Sequence, residues 1–550
     1  MTAASAARPS RILQGRTAAP GFAAGRIVRL ERGAADGIAA ARTVGTPDEE
    51  TAALKAALAA SAADLAGLIG SLDDEEAAAM LEFQLAMLED DALTEPAFAA
   101  LAEGMGAEAA FAAQLDAEIA GYRASDDDYF RARGSDLEDL KARVLAHLAG
   151  EAGTAAMIAD DAILVGRDLA PSRFLEIDWR PGQGIALAEG SLTSHVAILA
   201  RARGIPMLVG LAGIDAPDGT EALLDAEAGT LLLAPDAADR ALFDARRAAG
   251  LDRDRDAATF ALEPAATACG TPIQVLLNIG APSDLAGLDP ALCDGIGLVR
   301  TEFLFHGRGG DDLPGEDEQF EAYRAILAWA DGRPVTIRTL DAGGDKPIPG
   351  YTLDGEANPF LGLRGVRLSL AREAVFRVQL RALLRAAAHG ALKIMIPMVA
   401  VPAEMAAVRT LVEEEAASLA TAGTPPGRFE LGMMVEVPAA ALTLDLFAVD
   451  FVSIGSNDLV QYLMAAGRDS TAVAALADPL APAVLRVIET VAREAAARGV
   501  PVSLCGDAGG DPAAIPHLLA AGLRVLSMGA AAVPRAKAAI RATTLPGRRP

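Results

Sequence analysis

Gly190-Ser-Leu-Thr-Ser-His195 is followed at once by the apolar-periodic run Val196-Ala-Ile-Leu-Ala-Arg-Ala-Arg203. Small and hydroxylated residues leading into such a run predict a helix start with one histidine in its first turn. Unpaired backbone N–H groups and the positive end of the macrodipole gather there. That setting disfavours a cationic imidazole and suits one that carries a phosphoryl group. No Asp or Glu follows within several residues as a triad partner, so the segment points to a phosphate carrier rather than a hydrolase. Taken singly, a capped core helix with an incidental histidine explains it slightly better.

A second set of candidates lies in the C-terminal half. Strand-like apolar runs at Ile273–Ile279, Gly297–Val299, Val335–Leu340, Lys393–Pro397, Gly432–Val437, Phe451–Gly455, Val502–Gly506 and Val525–Gly529 alternate with helical patterns. Eight such runs predict a (β/α)8 barrel, whose active site is built at the C-terminal ends of its strands. Those ends read Arg300-Thr-Glu302, Arg338-Thr-Leu-Asp341, Glu436, Asn457-Asp458 and Cys505-Gly-Asp507. Glu436 and Asp458 would follow consecutive strands and supply hard oxygen ligands, for which Mg²⁺ is the natural ion. Arg300, Arg338, Arg468 and Asn457 could surround an anionic ligand, each arginine contact being worth about 1.5–3 kcal/mol. One arginine alone would snorkel or pair with a neighbour such as Glu302 or Asp469. Several at one mouth are harder to explain as structure only.

The elements that must position these groups form an α/β multidomain chain. Residues 16–30 read as short strands, and residues 46–150 as alanine- and leucine-rich helices inserted within a small α/β domain. Pro47-Asp-Glu-Glu50 gives an acidic first turn, Ser71–Glu76 a second helix start, and Asp126–Tyr129 a break. Strand signals return at Ile163–Gly166, Met207–Gly210 and Thr230–Ala234, and residues 235–259 form a charged helical connector. The expected domains are 1–45 with 148–235, the insertion 46–147, the linker 236–262, and the barrel 263–550. With 48 Lys+Arg against 75 Asp+Glu, nucleic acid and anionic membranes are unfavoured partners and a basic protein is favoured. No uninterrupted apolar run spans a bilayer, Met1–Ile12 lacks a secretory h-region, and Cys269, Cys293 and Cys505 form neither a disulfide framework nor a zinc pattern. A cytoplasmic, soluble protein is expected.

Several segments together resemble enzyme I of the bacterial phosphotransferase system, the phosphoenolpyruvate–protein phosphotransferases. They are Gly190–Gly210, Gly295–Phe305, Ile337–Lys346, Asn358–Arg364, Gly432–Ala439 and Ser453–Tyr462, with Met87–Asp91 and Asp126–Phe130 in the helical part. The resemblance implies that a swivelling α/β domain carries His195 as the phosphorylated residue. It implies that Glu436 and Asp458 hold Mg²⁺, that Arg300, Arg338, Asn457 and Arg468 bind phosphoenolpyruvate with Arg364 and Lys346 nearby, and that Cys505 is the proton donor. It further implies docking of the phosphocarrier protein HPr on the helical insertion, a homodimer through the barrel, and pyruvate as product. The chain departs from the family pattern at Leu192, at Arg173-Phe174 after Pro171-Ser172, and at Gly467 before Arg468. These departures leave room for a paralogue with a specialised carrier or a regulatory phosphoenolpyruvate sensor. A pyruvate, phosphate dikinase or phosphoenolpyruvate synthase relative fits less well, since a helical bundle without a glycine-rich phosphate loop precedes the histidine.

Overall fold

The computed structural model describes residues 10–30, 44–71, 75–88, 90–123, 128–150, 159–190, 194–305, 308, 310, 312–344, 346–353, 355–467, 473 and 476–545. Arg468, Asp469, Leu192, Thr193, Glu89, Asp126, Asp127 and part of the Ser71–Glu76 segment lie outside them. The chain divides into two compact units, Met1–Ala249 and Gly250–Pro550.

In the first unit, strands β1 (Arg11–Gln14), β2 (Arg16–Ala19) and β3 (Phe22–Arg29) precede helices Pro47–Ser71, Glu75–Leu88, Asp91–Ala102, Ala107–Arg123 and Asp128–Leu148. Strands β4 (Ala162–Gly166), β5 (Gly184–Leu187), β6 (Met207–Val209), β7 (Glu221–Asp225) and β8 (Thr230–Leu233) follow. They form one sheet in the order β1-β8-β7-β3-β4-β5-β6-β2. The single residue Gly15 joins its two outer strands, so the sheet must curl until those edges are neighbours. A Cβ at Gly15 would lie 2.7 Å from Leu211 Cγ, so the close approach needs glycine. The helices are inserted between β3 and β4, which pair in parallel with Ile27 opposite Ile163.

Thr46 caps the first of these helices. Its backbone N–H and hydroxyl both donate to Glu49, at 2.8 and 2.9 Å, a reciprocal cap ahead of Pro47. By length and mean apolarity alone Pro47–Gly70 could cross a membrane, but Lys55 and Asp64 interrupt it, so no uninterrupted apolar run of that length is present there. Alanine supplies that apolarity, and Leu54, Ala57 and Leu65 are buried in the unit's own core.

In the second unit, β9 (Gln274–Ile279), β10 (Ile296–Val299), β11 (Val335–Arg338), β12 (Leu392–Ile396), β13 (Phe429–Val435), β14 (Val452–Ile454), β15 (Val502–Leu504) and β16 (Val525–Met528) close a parallel barrel. Each of the eight runs expected from sequence is one of these strands, within one to three residues at either end. One apolar layer lies between strands and surrounding helices, and a second fills the barrel with Leu298, Met395, Met434, Phe451 and Cys505. The helix Ala237–Thr259 contains the boundary between the two units.

Candidate active site

Parallel strands buried on both faces are apolar until they end, so the first polar residues after each strand gather at one mouth. Arg338 ends β11 and is buried; its guanidinium donates to Glu302 at 2.6 Å and lies 3.2 Å from Asp341. Asp341 is completely buried and also receives Lys346, at 3.0 Å. Arg364 is fully buried between two carboxylates. It contacts both oxygens of Asp341 at 3.1 Å and those of Asp458 at 3.1 and 3.3 Å. The Tyr462 hydroxyl accepts from Arg364 at 3.3 Å and donates to the Phe360 carbonyl at 2.6 Å.

The charges in this lattice govern one another. Burial alone would lower the pKa of Arg338 and Arg364, but the surrounding carboxylates reverse that and raise both. Burial would raise Asp341, yet Lys346, Arg338 and Arg364 hold it well below its ordinary value. Glu436 is the opposite case. Burial, reinforced by Asp458 and Asp341, pushes its carboxyl up to about 8. One Glu436 oxygen accepts from the Met398 backbone N–H at 2.6 Å, and the other is buried without a hydrogen-bond partner. Glu302 Oε2 and Arg338 Nε are likewise buried and unpaired. Unmet donors and acceptors of both signs at one mouth are the mark of a site shaped for a charged ligand.

The remaining sequence candidates are placed as follows. Arg300 directly follows β10 and is exposed. Asn457 stands in the first turn of the Ser456–Met464 helix and donates to Asp507 at 3.0 Å, while the Asp507 N–H donates back at 3.1 Å. Cys505 is buried just after β15, and burial pushes its thiol up to about 11. Sequence reasoning singled out neither Tyr462 nor the structural weight of Asp341. Asp341 sits three residues after the strand-end arginine Arg338, a spacing that could have marked it. Among the described residues no three His, Cys, Asp or Glu side chains are grouped to hold a metal by themselves.

In the first unit, His195 is the first residue of a helix running to Arg203. The Ser194 side chain caps it, accepting from the Ala197 N–H at 3.3 Å, and Gly204 ends it at φ 66°. Val196, Ala197, Leu199 and Ala200 are buried. Phe174, one of the departures from the family pattern, is a fully buried core residue. It stacks on Trp179 with ring centroids 4.9 Å apart, and the Arg203 guanidinium lies 5.5 Å from its ring. It therefore ties the Pro171–Glu176 helix to the end of the His195 helix.

Comparison with known proteins covers most of the chain. Family models described as the N-terminal, mobile and PEP-binding domains of PEP-utilising enzymes match residues 14–133, 158–229 and 254–545. The phosphoenolpyruvate-protein phosphotransferase of Geobacillus stearothermophilus is 39% identical over 541 residues, 96% of this chain and 93% of that one. That of Bacillus sp. (strain S) is 38% identical over the same shares, and that of Staphylococcus carnosus is 38% identical over 90% of this chain and 88% of its own. With the closed parallel barrel and its charged mouth, these matches assign the chain to the phosphoenolpyruvate-protein phosphotransferase family of PEP-utilising enzymes.

Proposed function

We propose that this protein moves the phosphoryl group of phosphoenolpyruvate onto His195 and then onto a histidine of the carrier protein HPr, opening a sugar phosphotransferase relay in the cytosol. The observation that carries this reading is the barrel mouth, where Arg338 Nε, Glu302 Oε2 and Glu436 Oε2 are buried without partners inside a dense charge lattice. A ligand that is both strongly anionic and metal-bridged would satisfy all three. Arg300, Arg338, Asn457 and Arg468 bind its phosphate and carboxylate, with Lys346 beside them. Arg364, held between Asp341 and Asp458, acts in this arrangement as a positioning residue. Glu436 and Asp458 would hold Mg²⁺, which when bound would neutralise charge on the phosphoryl group. The unpaired oxygen of Glu436 fits that use, and water or substrate oxygens would complete the coordination.

Neutral His195 attacks phosphorus, the bond from phosphorus to the enol oxygen breaks, and pyruvate leaves as its enolate. Cys505, kept as a thiol by burial, gives its proton to the methylene carbon. Reacting atoms must approach to about 3–3.5 Å, and His195 and the mouth belong to different units. A swivel about the Ala237–Thr259 helix would supply that approach. Its early turns pair within the first unit, Arg246 with Asp225 at 3.1 Å, and its late turns within the second, Asp254 with Arg535 at 2.5 Å. Gly250 stands at the unit boundary, and glycine costs about 1 kcal/mol against alanine inside a helix, which suits a pivot. The helical insertion is the proposed HPr surface. A barrel-borne dimer would cover the exposed Leu353, Leu361, Val401, Leu442, Leu446 and Leu476, all in segments that follow β11 to β14.

Incubation with radiolabelled phosphoenolpyruvate and Mg²⁺ should give an acid-labile phosphate on the native protein that passes to added HPr. His195→Ala should still bind phosphoenolpyruvate and take up no label. Labelling of that variant would overturn the assignment, and label that never leaves the native protein would favour a sensor.

A further inference from the structure

We propose that Ser453 and Ser503 form a hydroxyl chain that returns a proton to Cys505 from the end of the barrel opposite the active-site mouth. The inference rests on the reading of Cys505 as proton donor and extends it to the step that resets the thiol. A donor that has given its proton to the enolate is left as a buried thiolate among Leu298, Met395, Met434 and Phe451. The mouth above is then filled by product, so bulk water cannot recharge it from that side.

The barrel interior offers a route from below. Side chains alternate along a strand, so Ser503 and Cys505 share the inward face of β15 while Leu504 packs into the layer of surrounding helices. Ser453 of β14 lies directly opposite Ser503 in register. The Ser503 hydroxyl donates to the Ser453 oxygen at 2.9 Å, and Ser453 stands on the same inward face diagonally across from Cys505. The Cys505 thiol at rest donates to the Ile454 carbonyl at 3.7 Å, and Ser453 helps to lower its pKa. Ser453 is completely buried, whereas Ser503, one residue in from the start of its strand, is half-buried. The chain thus runs from a dry sulfur to a hydroxyl near the barrel's N-terminal opening. Asn278 steadies the acceptor by donating to the Cys505 carbonyl at 2.9 Å.

Each serine can donate one hydrogen bond while accepting another. As the S–H bond re-forms on Cys505, the Ser453 O–H bond breaks. Ser453 takes the Ser503 proton, and Ser503 takes one from a solvent hydronium ion. The balance is one proton moved from water to thiolate, with no change of oxidation state.

Enzyme-catalysed exchange of the pyruvate methyl hydrogens, followed by proton NMR in deuterium oxide with Mg²⁺, isolates this step. Ser453→Ala and Ser503→Ala should each slow exchange by about tenfold or more, as expected when a positioned proton-transfer group is lost. Both should still bind phosphoenolpyruvate. Ser503→Thr, which keeps the hydroxyl, should restore the rate, and a packing defect would not be rescued that way. Ser503 is half-buried, so its variant keeps the test alive should Ser453→Ala fold poorly. If Cys505→Ala abolishes exchange while both alanine variants exchange at the native rate, the hydroxyl chain is overturned and Cys505 keeps its role. If Cys505→Ala itself exchanges at the native rate, the donor assignment falls and the chain with it.

Discussion

At the barrel mouth Arg338, Lys346 and Arg364 pair with Glu302, Asp341 and Asp458 in one largely buried lattice beside Glu436, whereas the His195 helix begins with no acidic residue in its first turn and a single serine as cap. The first site fixes its electrostatics with side chains brought from many strand ends. The second fixes them with backbone N–H groups and a helix dipole. A lattice of paired charges can hold a ligand in one place, but it costs stability when any member is lost. A capped helix start is cheap to build, and it suits the proposed role of His195 as a group that works at two places.

The largest expected effect comes from breaking the lattice. Arg364→Ala leaves Asp341 and Asp458 without their shared cation and should destabilise the barrel by about 3–5 kcal/mol. Calorimetry should show the barrel's transition falling while that of the first unit stays put; equal falls in both would mean that the lattice does not stabilise the barrel selectively. A smaller, pH-dependent effect belongs to Glu436. The unfolded chain ionises this carboxyl near 4.5 and the folded barrel only near 8, so the folded state binds the extra proton between those values. In metal-free buffer the barrel should therefore lose stability as pH rises through that window, and Glu436→Gln should not. Melting curves at several pH values with a chelator present would check it. Parallel curves for the two proteins would show that Glu436 ionises normally. The smallest effect is at the other site. Ser194→Ala should cost the first unit about 1 kcal/mol through its lost cap, measurable by denaturant titration, with the barrel unchanged.

How much of this was legible in the sequence follows from the same contrast. Each barrel strand announces itself locally, because a strand buried on both faces reads as an apolar run, and its first polar residue marks the mouth. Arg338 and Glu436 were therefore visible as single residues, and Asp458 within the short polar run that follows β14. Their pairing was not. Arg364 joins Asp341 to Asp458 across a wide stretch of chain, and nothing near Arg364 in the sequence names either partner. Charge balance is a property of the assembled mouth, which is why Arg364 reads in sequence as one more ligand-binding arginine and in the fold as the tie between two carboxylates. The start of the helix at His195 was legible, since the small and hydroxylated residues before it are a local start signal; Gly204, which ends it, is a stop signal of the same local kind. Phe174 shows the opposite limit. The sequence marks it as a departure from a family pattern, and only packing against Trp179 and Arg203 shows what it holds.

The curled sheet of the first unit has a consequence for how the chain folds. Strands β3 and β4 hydrogen-bond side by side, yet the whole helical insertion lies between them, so their pairing must close a long span. Closing so long a loop is entropically unfavourable and slows folding when the span is unstructured. Helices form through local contacts, and a bundle assembled first would bring Arg29 and Ala162 together before the sheet exists. The insertion then serves as the scaffold on which the sheet around it closes, and faults in its helices would delay the domain that carries His195.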